Sequence, residues 1–365
     1  MSVVFDAHSH CFPPLSEDTG GTARRLAEHQ YHVRFHNQGI RRTRDNARVD
    51  EPLMAGERDG VTWQPDVGFR IGRHGRLEFT HGGEEYYLQW MPPTMEDMAS
   101  SAEYIVRQMD YVGVDRAVMQ HDRVYGRLDD FMADCIQRYP DRLVPLAQVE
   151  EWRAGEPDQL ERLEHAVKDL GHSGLYFSTS GLFFKDFQIS VNDPELEPLW
   201  RLVESLGIPV HWYAGTLQCP LAKVYLEELR EFDRWAEAHP GVACVLTHGL
   251  NNIHYGVGKP DRFTAPPEII ALLKRPGWHM ELMLHLMNAD AEFPPHSAGC
   301  REVVRILTEE VGADRLMWGS DMPCCERTVT YKQSMLLFHT QCDFLSDDER
   351  AAIMGDNLAR LYPAD

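Results

Sequence analysis

The chain opens with the segment VVFDAHSH, residues 3–10, in which a short apolar run passes directly into two histidines one residue apart. Side chains two apart on a β-strand point to the same side. His8 and His10 would therefore both face inward at the end of this strand. Two imidazoles so placed are a ready pair of nitrogen ligands for zinc or a similar divalent ion. An isolated H-x-H is a weak signal, so its meaning depends on the rest of the chain.

Seven further apolar runs rich in strand-forming residues follow the first. From the second run onward their starts lie roughly 27 to 37 residues apart, the length of one strand–helix unit. The eight runs are Val3–Phe5, Arg116–Gln120, Leu143–Val149, Gly174–Phe177, Ile208–Trp212, Ala243–Thr247, His279–Leu284 and Leu316–Trp318.

Segments with apolar residues at helical spacing lie between these runs, and several end on a glycine just before the next strand. Strands that alternate with helices in this way pair in parallel through right-handed crossovers. Eight units predict a closed (β/α)8 barrel. An open doubly wound sheet is the alternative, but it usually carries a glycine-rich turn after the first strand, and none follows here. The predicted helices are Met95–Val112, Leu160–Leu170, Glu195–Leu206, Leu221–Ala238, Pro267–Leu273 and Cys300–Val311.

One long interval interrupts the regular spacing of the predicted strands. Roughly 110 residues separate the first two strands, so we expect an insertion over about residues 12–94 within a single barrel domain of residues 1–365. The first part of the insertion is rich in arginine, and Phe69–Ile71, Arg76–Thr80 and Glu85–Gln89 are predicted short strands. The insertion would be a small β subdomain that covers the C-terminal mouth of the barrel, or a solvated loop or oligomer contact.

The composition excludes several classes of function. With 57 acidic and 36 basic residues the net charge is −21, which argues against nucleic acid or an anionic membrane as a partner. The first residues have no secretory signal character, and no apolar run approaches the ~20 residues that cross a bilayer. Eight scattered cysteines without a CxxC are typical of reduced thiols. We therefore expect a cytoplasmic protein with a small-molecule substrate.

Ligand-type side chains stand at other strand ends as well. The fifth strand includes His211, the sixth ends at His248, and the eighth is followed by Asp321. Core packing in a barrel favours Val, Ile and Leu at inward positions, so these residues are unexpected there. In a closed barrel the C-terminal strand ends converge. The sequence therefore predicts one site built from His8, His10, His211, His248 and Asp321.

These residues carry a family resemblance. His8-x-His10, His211, His248 and the segment WGSDMP, residues 318–323, resemble the amidohydrolase superfamily. The pattern is similar in particular to the amidohydrolase-related branch that includes aminocarboxymuconate semialdehyde decarboxylase. The C-terminal segment of residues 355–362 resembles the closing helix of that branch.

The resemblance implies a role for each residue. His8, His10 and His211 would be metal ligands, and Asp321 would be a further ligand or a base. His248 would be the catalytic histidine that orients or deprotonates a metal-bound water, or would ligate a second metal. Binuclear members carry a carboxylated lysine on the fourth strand. The fourth strand here, residues 174–178, contains no lysine. We therefore expect one divalent ion, with Zn²⁺ favoured and Mn²⁺ as the alternative.

Three types of function agree with this site. The resemblance favours non-oxidative decarboxylation of an unsaturated or aromatic acid through His248 and Asp321. Metal-dependent hydrolysis of a lactone, amide or ester is the first alternative, because the pattern after the sixth strand matches the decarboxylases only in part and places Asn251 where a carboxylate is usual. A non-catalytic metal-binding barrel is the second. The resemblance also implies a homodimer.

Other residues are secondary candidates for contact with a substrate. Trp212 and Tyr213 follow His211 and would line the pocket or pack under a loop. His121 and Arg123 follow the second strand and could meet a substrate carboxylate. Asn251 is a further candidate near the sixth strand. Glu281 on the seventh strand is either a support for the metal ligands or a paired carboxylate inside the barrel.

Overall fold

The computed structural model of the chain describes residues 2–17, 39–49, 68–185, 188–215, 222–250, 255–257, 261–287 and 297–363. Within these residues, eight strands pair in parallel in the order β1-β6-β7-β8-β9-β10-β11-β12. The predicted (β/α)8 barrel is thereby confirmed. The strands are β1 (Phe5–Ser9), β2 (Arg41–Arg42), β3 (Arg70–Ile71), β4 (Arg76–His81), β5 (Glu84–Gln89), β6 (Arg116–Met119), β7 (Leu143–Ala147), β8 (Gly174–Ser178), β9 (Val210–Tyr213), β10 (Cys244–Leu246), β11 (Trp278–Leu282) and β12 (Leu316–Trp318).

The barrel closes between β1 and the segment that follows β12. The backbone N–H of Asp321 donates to the His8 carbonyl at 2.9 Å, and the backbone N–H of His10 donates to the Met322 carbonyl at 2.8 Å. The buried Asp6 carboxylate reinforces this seam, because it accepts from the backbone N–H of Ser320 at 2.9 Å and from its hydroxyl at 2.5 Å. The closure places His8, His10 and Asp321 side by side.

Helices surround the barrel, and glycines end two of them as predicted. Gly113 (φ 86°) and Gly207 (φ 65°) adopt the left-handed conformation that only glycine enters at little cost. The helices in the described part of the chain are α1 (Ala102–Val112), α2 (Asp129–Arg138), α3 (Pro157–Lys168), α4 (Glu197–Leu206), α5 (Ala222–Ala238), α6 (Pro267–Leu273), α7 (Leu284–Met287), α8 (Ser297–Val311), α9 (Tyr331–Leu336), α10 (Asp347–Ala351) and α11 (Asn357–Leu361).

Sequence and structure differ at some boundaries. The helix expected from Met95 begins at Ala102, because Ser101 caps its N-terminus by accepting from the Tyr104 backbone N–H. Helix α2 was not predicted, since only Met132 and Cys135 of its ten residues are fully buried and its apolar pattern is weak. No described helix is long and apolar enough to cross a bilayer.

The described part of the insertion forms its own antiparallel sheet in the order β2-β5-β4-β3. The three predicted strands near its end correspond to β3, β4 and β5. Much of the arginine-rich arm lies outside the described residues. The chain returns from β5 to the barrel through Trp90 and Met91, both buried. Met91 packs its sulfur 3.4 Å from Cys324 Sγ, so the end of the insertion contacts the loop that follows β12.

Candidate functional site

Three potential metal ligands converge where the C-terminal ends of β1 and β12 meet. His8 Nε2 lies 3.1 Å from His10 Nε2, and His10 Nε2 lies 2.9 Å from Asp321 Oδ1. His8 Nε2 and Asp321 Oδ1 are 3.8 Å apart. All three side chains are almost fully buried, so their polar atoms must be satisfied largely within the site.

The hydrogen bonds on the far side of each ring determine which nitrogen carries the proton. His10 Nδ1 lies 2.7 Å from the Gln120 carbonyl, which can only accept, so Nδ1 carries the proton. His8 Nδ1 lies 2.8 Å from Glu281 Oε2 and donates to it in the same way. Burial, followed by the charge of His10, holds the pKa of His8 well below its usual range. With the proton on Nδ1, the Nε2 atom of each ring in its neutral form presents a lone pair to the centre of the site.

Two lone pairs and a carboxylate oxygen thus face one another. Burial alone would raise the pKa of Asp321, but His10 and His285 outweigh it and hold the pKa well below its usual range. A proton on His10 could be donated to His8 or to Asp321, but not to both. A divalent cation satisfies all three acceptors together, and two imidazoles with a carboxylate are a usual donor set for catalytic zinc. The residues therefore fit the metal that the sequence predicts.

Glu281 supports this cluster from β11. Its Oε2 accepts from His8 Nδ1 and, at 3.0 Å, from the backbone N–H of His248, while its Oε1 accepts from Gln120 Nε2 at 2.5 Å. Burial raises the pKa of Glu281 well above its usual range. A carboxylate behind a histidine fixes the ring orientation and increases the basicity of the ligand nitrogen. Glu281 thus orients His8 and the backbone that carries His248.

His248 stands beside the cluster and lines the pocket. Its ring centroid is 4.6 Å from that of His8, and its potential ligand atom groups with those of His8 and Asp321 within 4.8 Å. The Thr247 hydroxyl donates to the Trp212 carbonyl and so accepts from His248 Nδ1 at 3.2 Å. His248 Nε2 is then free to carry a proton. Burial lowers the pKa of His248 well below its usual range.

Strained backbone holds two of these residues in place. His248 and Asp321 both have φ near 61°, a left-handed conformation that is uncommon for residues other than glycine. His248 lies two residues beyond the end of β10, and Asp321 lies three residues beyond the end of β12, where the chain leaves the barrel. Such strain persists only where the surroundings enforce it, and it occurs often at functional sites. Here Glu281 fixes the His248 N–H and the His8 carbonyl fixes the Asp321 N–H.

A pocket opens above the cluster, and aromatic side chains form much of its wall. Trp90, Tyr125, Tyr176 and Tyr213 line it together with His10, His248, His285 and Asp321. Trp90 stacks on Tyr125 with centroids 5.6 Å apart. Because Trp90 belongs to the end of the insertion, the insertion contributes to the wall of this pocket. The walls suit a flat, unsaturated ligand.

His211 does not join the cluster. Its Nε2 lies 2.8 Å from the Tyr362 hydroxyl, and its Nδ1 lies 3.2 Å from Gln120 Nε2. His211 points into the barrel, but it stands two residues before Tyr213, the residue of β9 that reaches the pocket. It therefore lies one layer deeper. Burial, followed by the charge of His8, lowers the pKa of His211 to about 3. The geometry thus argues against the predicted role of His211 as a ligand.

The structure separates the two aromatic candidates on β9. Tyr213 lines the pocket, which is one of the two positions expected for it from the sequence. Trp212 points to the opposite face of the strand, where it packs against Trp200 and Trp235 between the barrel and its helices. Adjacent residues of a strand face opposite sides, so only one of the pair can reach the pocket. The expectation that Trp212 lines the pocket is corrected accordingly.

The candidates after the second strand are also placed outside the pocket lining. His121 is buried, and burial lowers its pKa well below its usual range. Arg123 forms an ion pair with Glu151 and packs over Trp152. That ion pair occupies the guanidinium, so the predicted contact of Arg123 with a substrate carboxylate is not supported. Asn251 lies outside the described residues.

Several site residues were not predicted. His285, just beyond β11, places Nε2 2.9 Å from Asp321 Oδ2 and lines the pocket. Tyr125 and Arg327 also line it. Glu281, by contrast, was a candidate from the sequence, because it is a charged residue inside an apolar strand. His285, Tyr125 and Arg327 lie in turns and short helices after strands, where sequence spacing does not determine direction.

The barrel and the convergent His–Asp cluster at its C-terminal face together define a metal-dependent (β/α)8-barrel enzyme. The chain belongs to the amidohydrolase family, whose sequence model matches residues 5–364. The resemblance inferred from His8-x-His10, His211, His248 and the segment of residues 318–323 is thereby confirmed at the level of the family. No curated protein sequence matches the chain.

Solved structures share this fold at low sequence identity. A probable 2-pyrone-4,6-dicarboxylic acid hydrolase from Acinetobacter baumannii, with citric acid bound, is 21% identical with a TM-score of 0.53, over 73% of this chain and 90% of that one. A 2,6-dihydroxybenzoate decarboxylase complexed with 2,6-dihydroxybenzoate is 17% identical with a TM-score of 0.51, over 72% and 88%. A dihydroxybenzoic acid decarboxylase from Polaromonas sp. JS666, with bound manganese and 2-nitroresorcinol, is 14% identical with a TM-score of 0.52, over 72% and 86%.

Proposed function

We propose that the protein is a non-oxidative decarboxylase of an unsaturated or aromatic carboxylic acid. The observation that carries this proposal is an aromatic-walled pocket that opens onto three convergent potential metal ligands, with His248 beside them. The metal-dependent decarboxylases of dihydroxybenzoates with the same fold support it.

One divalent ion would be held by His8 Nε2, His10 Nε2 and the Asp321 carboxylate. Three protein ligands leave a position open for a substrate or water, as in catalytic zinc sites. We infer Zn²⁺ from the two imidazole ligands, with Mn²⁺ as the alternative that the manganese-containing neighbour suggests. When bound, the ion supplies positive charge that stabilises an oxyanion and lowers the pKa of water.

The chain itself would orient the acid and deliver a proton. The flat substrate lies between Trp90–Tyr125 and Tyr213, with its carboxylate and a neighbouring oxygen toward His10 and Asp321. His248 would take a proton on Nε2 from solvent, a form that the nearby Asp321 carboxylate favours, and would donate it to the carbon that bears the carboxylate. The bond from that carbon to the carboxylate then breaks, its electrons restore the unsaturated system, and CO₂ leaves. The net reaction consumes one proton and releases one CO₂, so His248 must be reprotonated from solvent in each cycle.

Asp321 and His285 support this transfer. His285 holds Asp321 Oδ2 at 2.9 Å, so Oδ1 stays directed at His10. Thr247 holds His248 in the tautomer whose Nε2 faces the site. The proton transfer does not require His211, whose nitrogens contact Tyr362 and Gln120.

Hydrolysis is the second candidate, and the hydrolase among the structural neighbours favours it. The same cluster could activate water for attack on a lactone, with His248 as the base. The two reactions differ in their products.

The homodimer implied by the resemblance remains a prediction that light scattering can test.

The experiment measures CO₂ release by the zinc- or manganese-loaded chain from a panel of hydroxybenzoates and muconate-like acids, and hydrolysis of lactones and amides in parallel. We expect CO₂ from at least one acid. His248→Asn should keep the metal content while kcat falls at least about 100-fold, the usual contribution of a positioned proton donor. His165→Asn, on the outer surface of α3, is the matched control. Lactone hydrolysis without CO₂ would replace this proposal with the hydrolase.

A further inference from the structure

Arg327 stands at the rim of the pocket in the short 3₁₀ turn Cys324–Arg327 that follows β12. It lies six residues after Asp321, so the same loop carries a metal ligand and a cation. Arg327 Nε donates to the Cys324 carbonyl at 3.0 Å. That bond ties the guanidinium to the loop, and its two terminal NH₂ groups have no hydrogen-bond partner among the described residues.

Among the described residues, no carboxylate lies within ion-pair distance of Arg327. The neighbouring arginines differ in this respect. Arg123 is paired with Glu151, and Arg127 with Glu150 at 2.6 Å. Asp122 also lines the pocket, but it lies 3.9 Å from Arg123 rather than beside Arg327. Arg327 is thus the arginine with an open anion-binding edge at this pocket.

Depth separates this cation from the metal ligands. His10 and Asp321 are buried, whereas Arg327 is exposed, and all three line the same pocket, whose wall includes Trp90 and Tyr125. A flat ligand that fills the pocket would present one end to the ligands and the other to Arg327. The planar guanidinium binds a carboxylate through two parallel hydrogen bonds, which a lysine cannot do.

We propose that Arg327 binds a second anionic group of the substrate, so that the enzyme acts on acids with two carboxylates or an equivalent second anion. This inference rests on the proposed function, because it takes the first carboxylate to lie at His10 and Asp321. It assigns to Arg327 the recognition that the sequence suggested for Arg123.

The experiment compares the binding of benzoate and of the three benzenedicarboxylates to the zinc-loaded full chain by calorimetry. At least one diacid should bind about tenfold or more tightly than benzoate, the effect of one added charged hydrogen-bond pair. Arg327→Gln should lose this preference, and Arg327→Lys should keep part of it, because the charge remains without the planar fork. Arg107→Gln, exposed on α1 and paired with Asp110, is the matched control and should keep all of it.

Two results would overturn the inference: equal binding of benzoate and every diacid, or a diacid preference that survives in Arg327→Gln. Retained zinc content and benzoate affinity in Arg327→Gln show that the variant is folded. The outcome is separable from that of the decarboxylase assay. Release of CO₂ without a diacid preference refutes the role of Arg327 alone. A preference lost in Arg327→Gln, with no CO₂ from any acid, refutes decarboxylation alone.

Discussion

Replacing Glu281 with Gln should weaken zinc binding although Glu281 is not itself a ligand. Glu281 accepts three hydrogen bonds, from His8 Nδ1, from the His248 backbone and from Gln120. A glutamine has one accepting oxygen and one donating NH₂. If the oxygen faces His8 and His248, the NH₂ meets the Gln120 NH₂. If the amide is turned round, its NH₂ faces two other donors, His8 Nδ1 and the His248 backbone N–H. In neither orientation are all three bonds kept.

Loss of such a support typically lowers metal affinity about 10- to 100-fold, which corresponds to about 1.4 to 2.8 kcal/mol. We expect the Glu281→Gln variant to fall in this range when zinc is titrated against a chromophoric chelator. The exposed Glu309→Gln is the control for a charge change alone. Circular dichroism establishes that both variants are folded. Zinc affinity within about twofold of the parent in Glu281→Gln would refute the assigned role of Glu281, because the neutral amide would then support His8 as well as a carboxylate.

Three further predictions concern His211, His172 and Trp90. His211→Asn should retain about one metal ion per chain by elemental analysis, since His211 contacts Tyr362 rather than His8 and Asp321; loss of the metal would restore the ligand role that the sequence suggested. Burial lowers the pKa of His172 to about 4, so the unfolded chain binds its proton below about pH 6.5 and the folded chain does not. The unfolding free energy should therefore fall by about 3 kcal/mol more in the parent than in His172→Gln between pH 6.5 and 4, measured by denaturant titration, and parallel profiles would contradict this. Trp90→Ala should raise KM for an aromatic acid about 3- to 10-fold with a smaller change in kcat; an unchanged KM would exclude the insertion from substrate binding.

The fold was predictable because strand spacing and glycine stops are properties of the chain itself. The convergence of His8, His10 and Asp321 was predictable because each residue stands at or just past a strand end. His211 shows the limit of this reasoning. It faces the barrel interior as expected, yet β9 continues to Tyr213, so His211 lies one layer below the pocket. An uncertainty of two residues in a strand end therefore decides whether a histidine reaches the pocket.

Contacts that depend on loops could not be predicted from spacing. Arg123 and Arg327 both follow barrel strands, but only the structure shows that Glu151 pairs with the first and that no described carboxylate pairs with the second. His285 lies in the short helix α7 after β11, and its approach to Asp321 depends on the direction in which that helix leaves the strand. The expectation that Trp212 lines the pocket was wrong, because adjacent residues of a strand face opposite sides. Tyr213 faces the pocket, so Trp212 lies on the outer face of β9.

Anomalous diffraction from crystals of the zinc-loaded protein, recorded across the zinc absorption edge, tests the proposed metal centre most directly. We predict a single anomalous peak within bonding distance of His8 Nε2, His10 Nε2 and the Asp321 carboxylate, with His211 still hydrogen-bonded to Tyr362. Two peaks in the barrel, or one peak bound by His211 in place of these ligands, would contradict the account.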